Sequence, residues 1–341
     1  MSKAITLEDI ARAAGVSPST VSRVLNGSKR VAENKRALVL AAIEQHNYRP
    51  NLVARGLVRG RSMTVGVLMQ DISSPFFARM ISGIEQGLDR GAYQPMFAST
   101  HWRAENQENE LRSLQLLLER RVDGLIVLAS SIPDDDLRAA AAQIPLVVVA
   151  RRVAGLEDRC IYVDNQGGAF RATRYLIGLG HTRIAHIAGT PGHPDAADRL
   201  AGYRSALVDG GLAVDERLIV EGRLDEESGL PAAEELLAGG EPFTAIFAAN
   251  DQAAYGAMLG LFNHGYRIPT DMSIVGFDDQ WFSTYTLPPL TTVRQPSTEM
   301  GRAAAEGLLR LLNNEAPQLP HFPTELVIRK SALRARRRDP G

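Results

Sequence analysis

Leu7-Glu8-Asp9-Ile10-Ala11-Arg12-Ala13-Ala14-Gly15-Val16-Ser17-Pro18-Ser19-Thr20-Val21-Ser22-Arg23-Val24-Leu25-Asn26 carries the signals for two short helices and a tight turn between them. Thr6 precedes the first helix with Asp9 three residues on, which is a capping pattern. Gly15 can take the left-handed conformation that ends the helix, and Ser17 followed by Pro18 restarts it with a cap and a proline at the first helical position. Ile10, Ala14, Val16, Val21 and Leu25 can share a small core that fixes the angle between the helices. Pro18, Ser19, Thr20 and Arg23 are then left at the exposed start of the second helix, where a helix-turn-helix presents side chains to base edges.

Charge follows the same division. Residues 1–61 hold 11 Lys and Arg against 4 Asp and Glu, a net +7, so the overall −1 leaves −8 on residues 62–341. A basic segment attracts phosphates whatever the sequence, and an acidic body discourages stray contact with nucleic acid. A solvated basic tail would show the same charge, but not the helix periodicity and caps. At 341 residues, 45% of them hydrophobic, the chain is globular and long enough for two or three domains. One cysteine, Cys160, excludes an intramolecular disulfide and a cysteine metal cluster, and its apolar surroundings read as core. Neither Met1–Ala4 nor any later stretch has the apolar run of about 18 residues needed for a membrane span, so a soluble, cytoplasmic protein is expected.

Outward from the first helices, residues 33–46 place Leu38, Val39, Ala42 and Ile43 for a third helix under the first two. Residues 51–58, with Gly56 inside, are too short and too weakly amphipathic to hold as an isolated helix, and Arg59-Gly60-Arg61-Ser62 reads as a linker. From Met63 the pattern changes. Apolar runs at 64–69, 94–98, 124–129 and 145–150 are spaced by helical stretches such as 76–90 and 106–120. Runs at 183–189, 218–221, 244–248 and 273–277 follow, spaced by helices over 167–179, 199–209, 226–237 and 253–262. Two βαβα series predict two parallel-sheet lobes, with ligand chemistry at the strand ends Gln70-Asp71, Ser99-Thr100, Ser130-Ser131, Asn250-Asp251 and Asp278-Asp279. His101 and Trp102 read either as the rim of that cleft or as an exposed loop.

These pieces together resemble the lactose-repressor (LacI/GalR) family of bacterial transcription regulators over nearly the whole chain. The resemblance rests on Val16-Ser17 to Asn26, Tyr48-Arg49-Pro50-Asn51, Ala54 and Leu57, Leu118-Glu119-Arg120-Arg121-Val122-Asp123-Gly124, Gly180-His181, Arg199-Leu200-Ala201-Gly202-Tyr203, Ala249-Asn250-Asp251, Val275-Gly276-Phe277-Asp278-Asp279 and Pro288-Pro289-Leu290-Thr291-Thr292. Each motif is weak alone, and their order and spacing are specific. The resemblance implies an α/β protein with an all-α helix-turn-helix headpiece at 1–50, a hinge helix and linker at 51–62, and a two-lobed periplasmic-binding-protein-like core at 63–341. The lobes are expected over about 63–162 with 293–322, and about 163–292 with 323–341. It also implies a homodimer on a pseudo-palindromic, double-stranded operator, with Leu57 wedging into a central minor-groove step beside Ala54. Arg23 is expected on bases or a phosphate, with base contact favoured. Pro18 and Ser19 fall at specificity positions, and Thr20, Ser22 and Asn26 at phosphates. Ala32 departs from the usual Ser or Thr cap, and Gly56 weakens the hinge helix.

For a small-molecule effector the resemblance implies Phe76, Phe77, Ser130, Arg151, Arg199, Leu224, Asn250, Asp278 and Gln295. Core packing is the alternative for both phenylalanines, and a structural ion pair for Arg199 with Asp278. Val149-Ala150-Arg151-Arg152 lacks the acidic residue that often precedes the first arginine. An arginine without a partner in a cleft favours an anionic effector, a sugar acid or sugar phosphate, unless Arg152 faces solvent. Two other classes compete with an allosteric repressor. A periplasmic sugar-binding protein shares the two lobes but needs a signal peptide instead of a basic helix-turn-helix. An α/β enzyme needs a catalytic or metal constellation, and His181, His186 and His193 lack metal-ligand spacing. No catalytic residue, metal site or cofactor is therefore expected. The basic segment 334–341 lacks heptads, which favours a dimer over a coiled-coil tetramer.

Overall fold

The computed structural model describes residues 5–25, 30–48, 61–100 and 107–335. Asn26, Ala54, Leu57, His101, Trp102 and the basic run beyond 335 lie outside the described residues. The chain divides into two units, Met1–Met63 and Thr64–Gly341.

In the first unit, α1 (Leu7–Ala13), α2 (Pro18–Leu25) and α3 (Glu33–Gln45) close over Ile10, Ala11, Ala14, Val21, Val24, Val39 and Ala42. Val16 and Leu25 pack against this cluster half-buried. Leu38, expected in the core, is 55% exposed. One turn of α3 supplies a narrow stripe through Val39, Ala42 and Ile43, and Leu38 falls about 100° to its side.

The second unit repeats one topology twice. Its first sheet has the order β2-β1-β3-β4-β5, all parallel, from β1 (Thr64–Met69), β2 (Gln94–Ser99), β3 (Gly124–Leu128), β4 (Leu146–Val149) and β5 (Cys160–Ile161). Around it run α4 (Pro75–Leu88), α5 (Gln107–Glu119) and α6 (Asp134–Ala141). The second sheet joins β6 (Ile184–Ile187), β7 (Ile219–Val220), β8 (Ala245–Ala248), β9 (Ser273–Asp278), β10 (Thr291–Arg294) and β11 (Glu325–Val327) in the order β11-β10-β9-β8-β6-β7. Only β11 is antiparallel to its neighbour among the described strands. Its helices are α7 (Asn165–Gly178), α8 (Pro194–Asp209), α9 (Glu226–Ala238) and α10 (Asp251–Asn263). The central strands are buried along their length, as expected for parallel sheets covered on both faces.

In both sheets the strand order reverses beside the first strand of the series, opening a crevice beyond the strand ends. Gln70-Asp71 follow β1 at one such point, and Asn250 follows β8 at the other. After β10 the chain returns to the first lobe as α11 (Ser297–Leu312), which packs on α4, β3 and β4. The crossing is close: a Cβ at Gly301 would lie 2.0 Å from the Met80 carbonyl oxygen, and one at Gly83 equally near that of Thr298. Two of the chain segments that pass between the lobes touch at a parallel bridge, Val163 with Phe322.

Candidate functional site

The headpiece is held by its caps. The Thr6 hydroxyl accepts from the Asp9 amide at 3.3 Å, and the Asp9 carboxylate accepts from the Thr6 amide at 2.9 Å. Gly15 turns at φ +65°, and Ser17 Oγ accepts from the Thr20 amide at 3.3 Å while contacting the Ser19 and Thr20 hydroxyls at 2.9 Å each. Pro18, Ser19 and Arg23 are exposed along α2, with Thr20 and Ser22 half-buried beside them. The arrangement offers short hydroxyls on the first turn and the Arg23 guanidinium on the last turn of a helix whose other face is core. Ala32 stands at the α3 cap and makes no side-chain capping bond.

In the second unit a cavity of about 470 Å³ opens at the two strand-order reversals. Of the nine effector candidates, Phe76, Phe77, Arg199, Leu224, Asn250 and Asp278 line it. Phe76 and Phe77 meet edge to face with ring centres 5.2 Å apart, Phe77 being the buried partner. Leu224 sits at φ +62°, and its carbonyl accepts from Asn250 Nδ2 at 2.8 Å. Asn250 Oδ1 meanwhile caps α10 by accepting from the Ala253 amide. Half of this amide's bonding positions are thus occupied, one in tying Leu224 to the helix start and one in capping that helix.

Arg199 is buried on the second helical turn of α8, which begins at Pro194 rather than at Arg199 as the apolar pattern suggests. Proline at the first helical position is the overlooked signal, and the earlier start puts Asp195 one turn before the arginine. The guanidinium lies 3.5 Å from the Asp278 carboxylate and 4.0 Å from that of Asp195. It donates to Asn165 Oδ1 at 3.0 Å and the Ala249 carbonyl at 2.7 Å, and stacks 4.0 Å from the Phe277 ring centre. Burial still pushes Asp278 up to about 6, against the opposing pull of Arg199 and the Gln295 amide. Behind it, Asp251 rises to about 8 through burial and the neighbouring Asp278 charge.

Ser130, Arg151 and Gln295 are not part of the cavity wall. Ser130 Oγ donates to the buried Glu110 at 2.6 Å, and Gln295 Nε2 supports Asp278 from behind at 2.7 Å. The premise of an unpaired cleft arginine fails. Arg151 is ion-paired with Asp134 and donates to the carbonyls of Ser130 at 2.7 Å and Ile132 at 2.5 Å. Its countercharge comes from 17 residues upstream in the sequence, where no local pattern could reveal it. Arg152 is exposed and lies over the Tyr162 ring.

Sequence reasoning missed Ser74, Asp195, Arg223 and Gln252, and the acidic run Asp225-Glu226-Glu227, all on the cavity wall. His193 also lines the cavity, its pKa lowered to about 4 by burial, while His181 and His186 play other parts. His181 bridges Thr244 and the Leu333 carbonyl, and burial lowers its pKa. His186 is stacked between Tyr203 and Phe247 and held neutral by burial, its pKa lowered to about 4.

Comparison with known proteins agrees over both units. Residues 6–51 match the family described as "Bacterial regulatory proteins, lacI family", and residues 173–332 match the "Periplasmic binding protein-like domain". The HTH-type transcriptional regulator GalR of Escherichia coli K12 is 39% identical over 331 residues, covering 96% of this chain and 95% of that one. The lac repressor dimer bound to operator and the anti-inducer ONPF superposes with TM-score 0.85 at 31% identity, over 97% of this chain and 100% of that one. A transcriptional regulator CelR–cellobiose complex gives TM-score 0.71 at 34% identity, over 96% and 100%. Among the described residues no helix is long and apolar enough to cross a membrane.

Proposed function

From the premise that this chain belongs to the lacI family of bacterial regulatory proteins, we propose that it is a repressor acting in the cytoplasm, released from or recruited to its operator by a neutral, polyhydroxylated sugar. It is a sequence-specific DNA-binding transcriptional regulator built as a helix-turn-helix unit ahead of a two-lobed core. Its work is binding rather than catalysis. Arg23 reads base edges, Pro18 and Ser19 tune the sequence preference, and Thr20, Ser22 and Asn26 set the register on phosphates. Ala54 and Leu57 engage the minor groove, and the effector contacts are Phe76, Phe77, Arg199, Leu224, Asn250 and Asp278.

The observation that carries the effector class is the charge of the cavity wall. Asp71, Asp195, Asp225, Glu226, Glu227 and Asp278 face Arg199 and Arg223, so an anion meets net repulsion. Donor and acceptor stand side by side at Arg199 and Asp278, which suits vicinal hydroxyls, with Phe76 offered to an apolar sugar face. The anionic effector expected from the sequence loses its support, because Arg151 already has Asp134. A homodimer is supported by an exposed aromatic cluster on the second lobe. The Trp281 ring centre lies 5.5 Å from that of Phe282 and 5.9 Å from that of Tyr285, and the neighbouring Leu287 is 93% exposed.

Fluorescence anisotropy with fragments of the chain's own upstream region tests the reading, repeated with cellobiose, ribose, neutral hexoses and their phosphates. Tight, salt-dependent operator binding that a neutral sugar alters is expected, and Arg23→Ala should weaken the specific complex roughly 5- to 150-fold. Binding altered only by sugar phosphates would overturn the effector class, and absence of specific DNA binding would overturn the regulator itself.

A further inference from the structure

Ser74-Pro75 opens α4 with the same signal that Ser17-Pro18 uses to open α2, a serine cap before a proline. Ser17 bonds its own helix, accepting from the amide of Thr20. Ser74 makes no capping bond, although its backbone is extended as a cap requires. Its hydroxyl instead leaves the first lobe and donates to Gln252 Oε1 at 3.1 Å, on the first turn of α10 in the second lobe.

The amide orientation follows from its surroundings. Gln252 Nε2 faces the Glu226 carboxylate at 2.8 Å, where only a donor is favourable, so Oε1 is the atom left for Ser74 and for the Gln280 amide at 3.3 Å. Gln252 is 7% exposed and is thereby held by Glu226 on α9 and by Gln280 beyond β9. A second tie lies one turn along α4, where Arg79 donates to the Asp279 carbonyl at 3.4 Å. Ser74 and Gln252 both line the cavity.

We propose that Ser74 and Gln252 form a strap along the cavity wall that holds the two lobes together, with Gln252 as the positioning residue. A helix that forgoes its own cap bond gives up local stability, and here the hydroxyl is redirected to the opposing lobe. The strap raises the closed fraction of the free protein, and apparent affinity for a ligand of the closed form scales with that fraction. This last consequence rests on the cavity being the effector site. The strap does not, and its test uses neither sugar nor DNA.

Hydrogen exchange of the full-length protein, read on peptides covering residues 70–78 and 249–256, tests the strap. Ser74→Ala should raise exchange in 249–256, on the far side of the cleft, by roughly five-fold, the weight of one neutral hydrogen bond. Ser74→Thr keeps a hydroxyl and should match the wild type. Gln252→Ala should raise exchange in 70–78, and adding Ser74→Ala to it should change nothing further, because the shared bond is already gone. Changes confined to the lobe that carries the substitution, additive effects in the double variant, or failure of Ser74→Thr to restore protection would each overturn the proposal.

Discussion

Arg199 and Asp278 face each other at 3.5 Å on the cavity wall, both almost wholly buried, yet the carboxylate is pushed up to about 6. One guanidinium serves Asp278 and Asp195 together, and burial raises the pKa of both carboxylates against its pull. The charge on Asp278 is thus held against a desolvation penalty, a setting that favours hydroxyl groups donating to the carboxylate. Asp251 sits behind, accepting from the Gln280 amide at 2.8 Å and from the Ser283 and Thr292 hydroxyls.

Stability should fall with rising pH through this cluster. Asp251 moves from 3.8 to about 8 on folding, and Asp278 from 3.8 to about 6, so between those values the folded chain holds protons that the unfolded chain has lost. Their stabilising contribution is complete below the unfolded value and is lost as pH rises through 6 and then 8, by up to about 1.4 kcal/mol per pH unit for each group. Urea unfolding at pH 6 and 8 should show the decline in the wild type and a shallower one in Asp251→Asn. Equal slopes in the two proteins would remove Asp251 as its source.

Arg151→Ala should damage the fold and leave the effector alone. The substitution strips Asp134 of its partner and two carbonyls of their donor, at a cost on the order of 1–3 kcal/mol. Affinity for the sugar identified by anisotropy should change less than about two-fold, given that Arg151 is not on the cavity wall. A selective loss of sugar binding at unchanged stability would return Arg151 to the site.

What the sequence disclosed and what it hid divide on physical lines. Helix caps and turns are local, so the Thr6–Asp9 box and the Gly15 turn are readable from neighbouring residues, and both are present. Buried parallel strands read as short apolar runs, and the runs at 64–69, 183–189 and 273–277 coincide with β1, β6 and β9. The elements β5, β10, β11 and α11 were not legible. β5 adds only Cys160 and Ile161, β10 and β11 interrupt their apolar positions with Thr291, Thr292, Arg294 and Glu325, and the packed face of α11 mixes Met300 and Leu308 with the small residues Gly301, Ala304 and Ala305. Within the site, Arg199 and Asp278 were found through their motifs. Asp134, Ser74 and Gln252 were not, because their partners come from distant parts of the chain.

A missing cap gives a gain that can be measured locally. Ala32 holds the extended backbone of a cap residue, φ −58° and ψ 140°, without a side chain to bond the first amides of α3. Ala32→Ser should add about 0.5–1 kcal/mol to the headpiece. Hydrogen exchange at residues 33–36 should slow in the variant, with residues 64–335 unchanged. The Lys35 amide already donates to Asn34 Oδ1 at 2.8 Å, and no slowing would mean that this bond does the work of the cap.

The helix pair that anchors the first lobe leaves no room for a methyl group. At Gly301 an added Cβ would lie 2.0 Å from the Met80 carbonyl oxygen and 3.1 Å from the Ile84 amide nitrogen, both backbone atoms that cannot rotate away. Alanine favours a helix by about 0.8–1 kcal/mol over glycine, so propensity alone predicts that Gly301→Ala stabilises. Overpacking opposes this with a cost of about 1–3 kcal/mol, because α4 and α11 must separate to admit the methyl. The second effect is the larger. Denaturant unfolding should therefore show a net loss for Gly301→Ala, while Gly178→Ala, at a helical glycine with open space around it, should show no such loss. A Gly301→Ala protein as stable as the wild type would mean that the two helices do not approach this closely in solution.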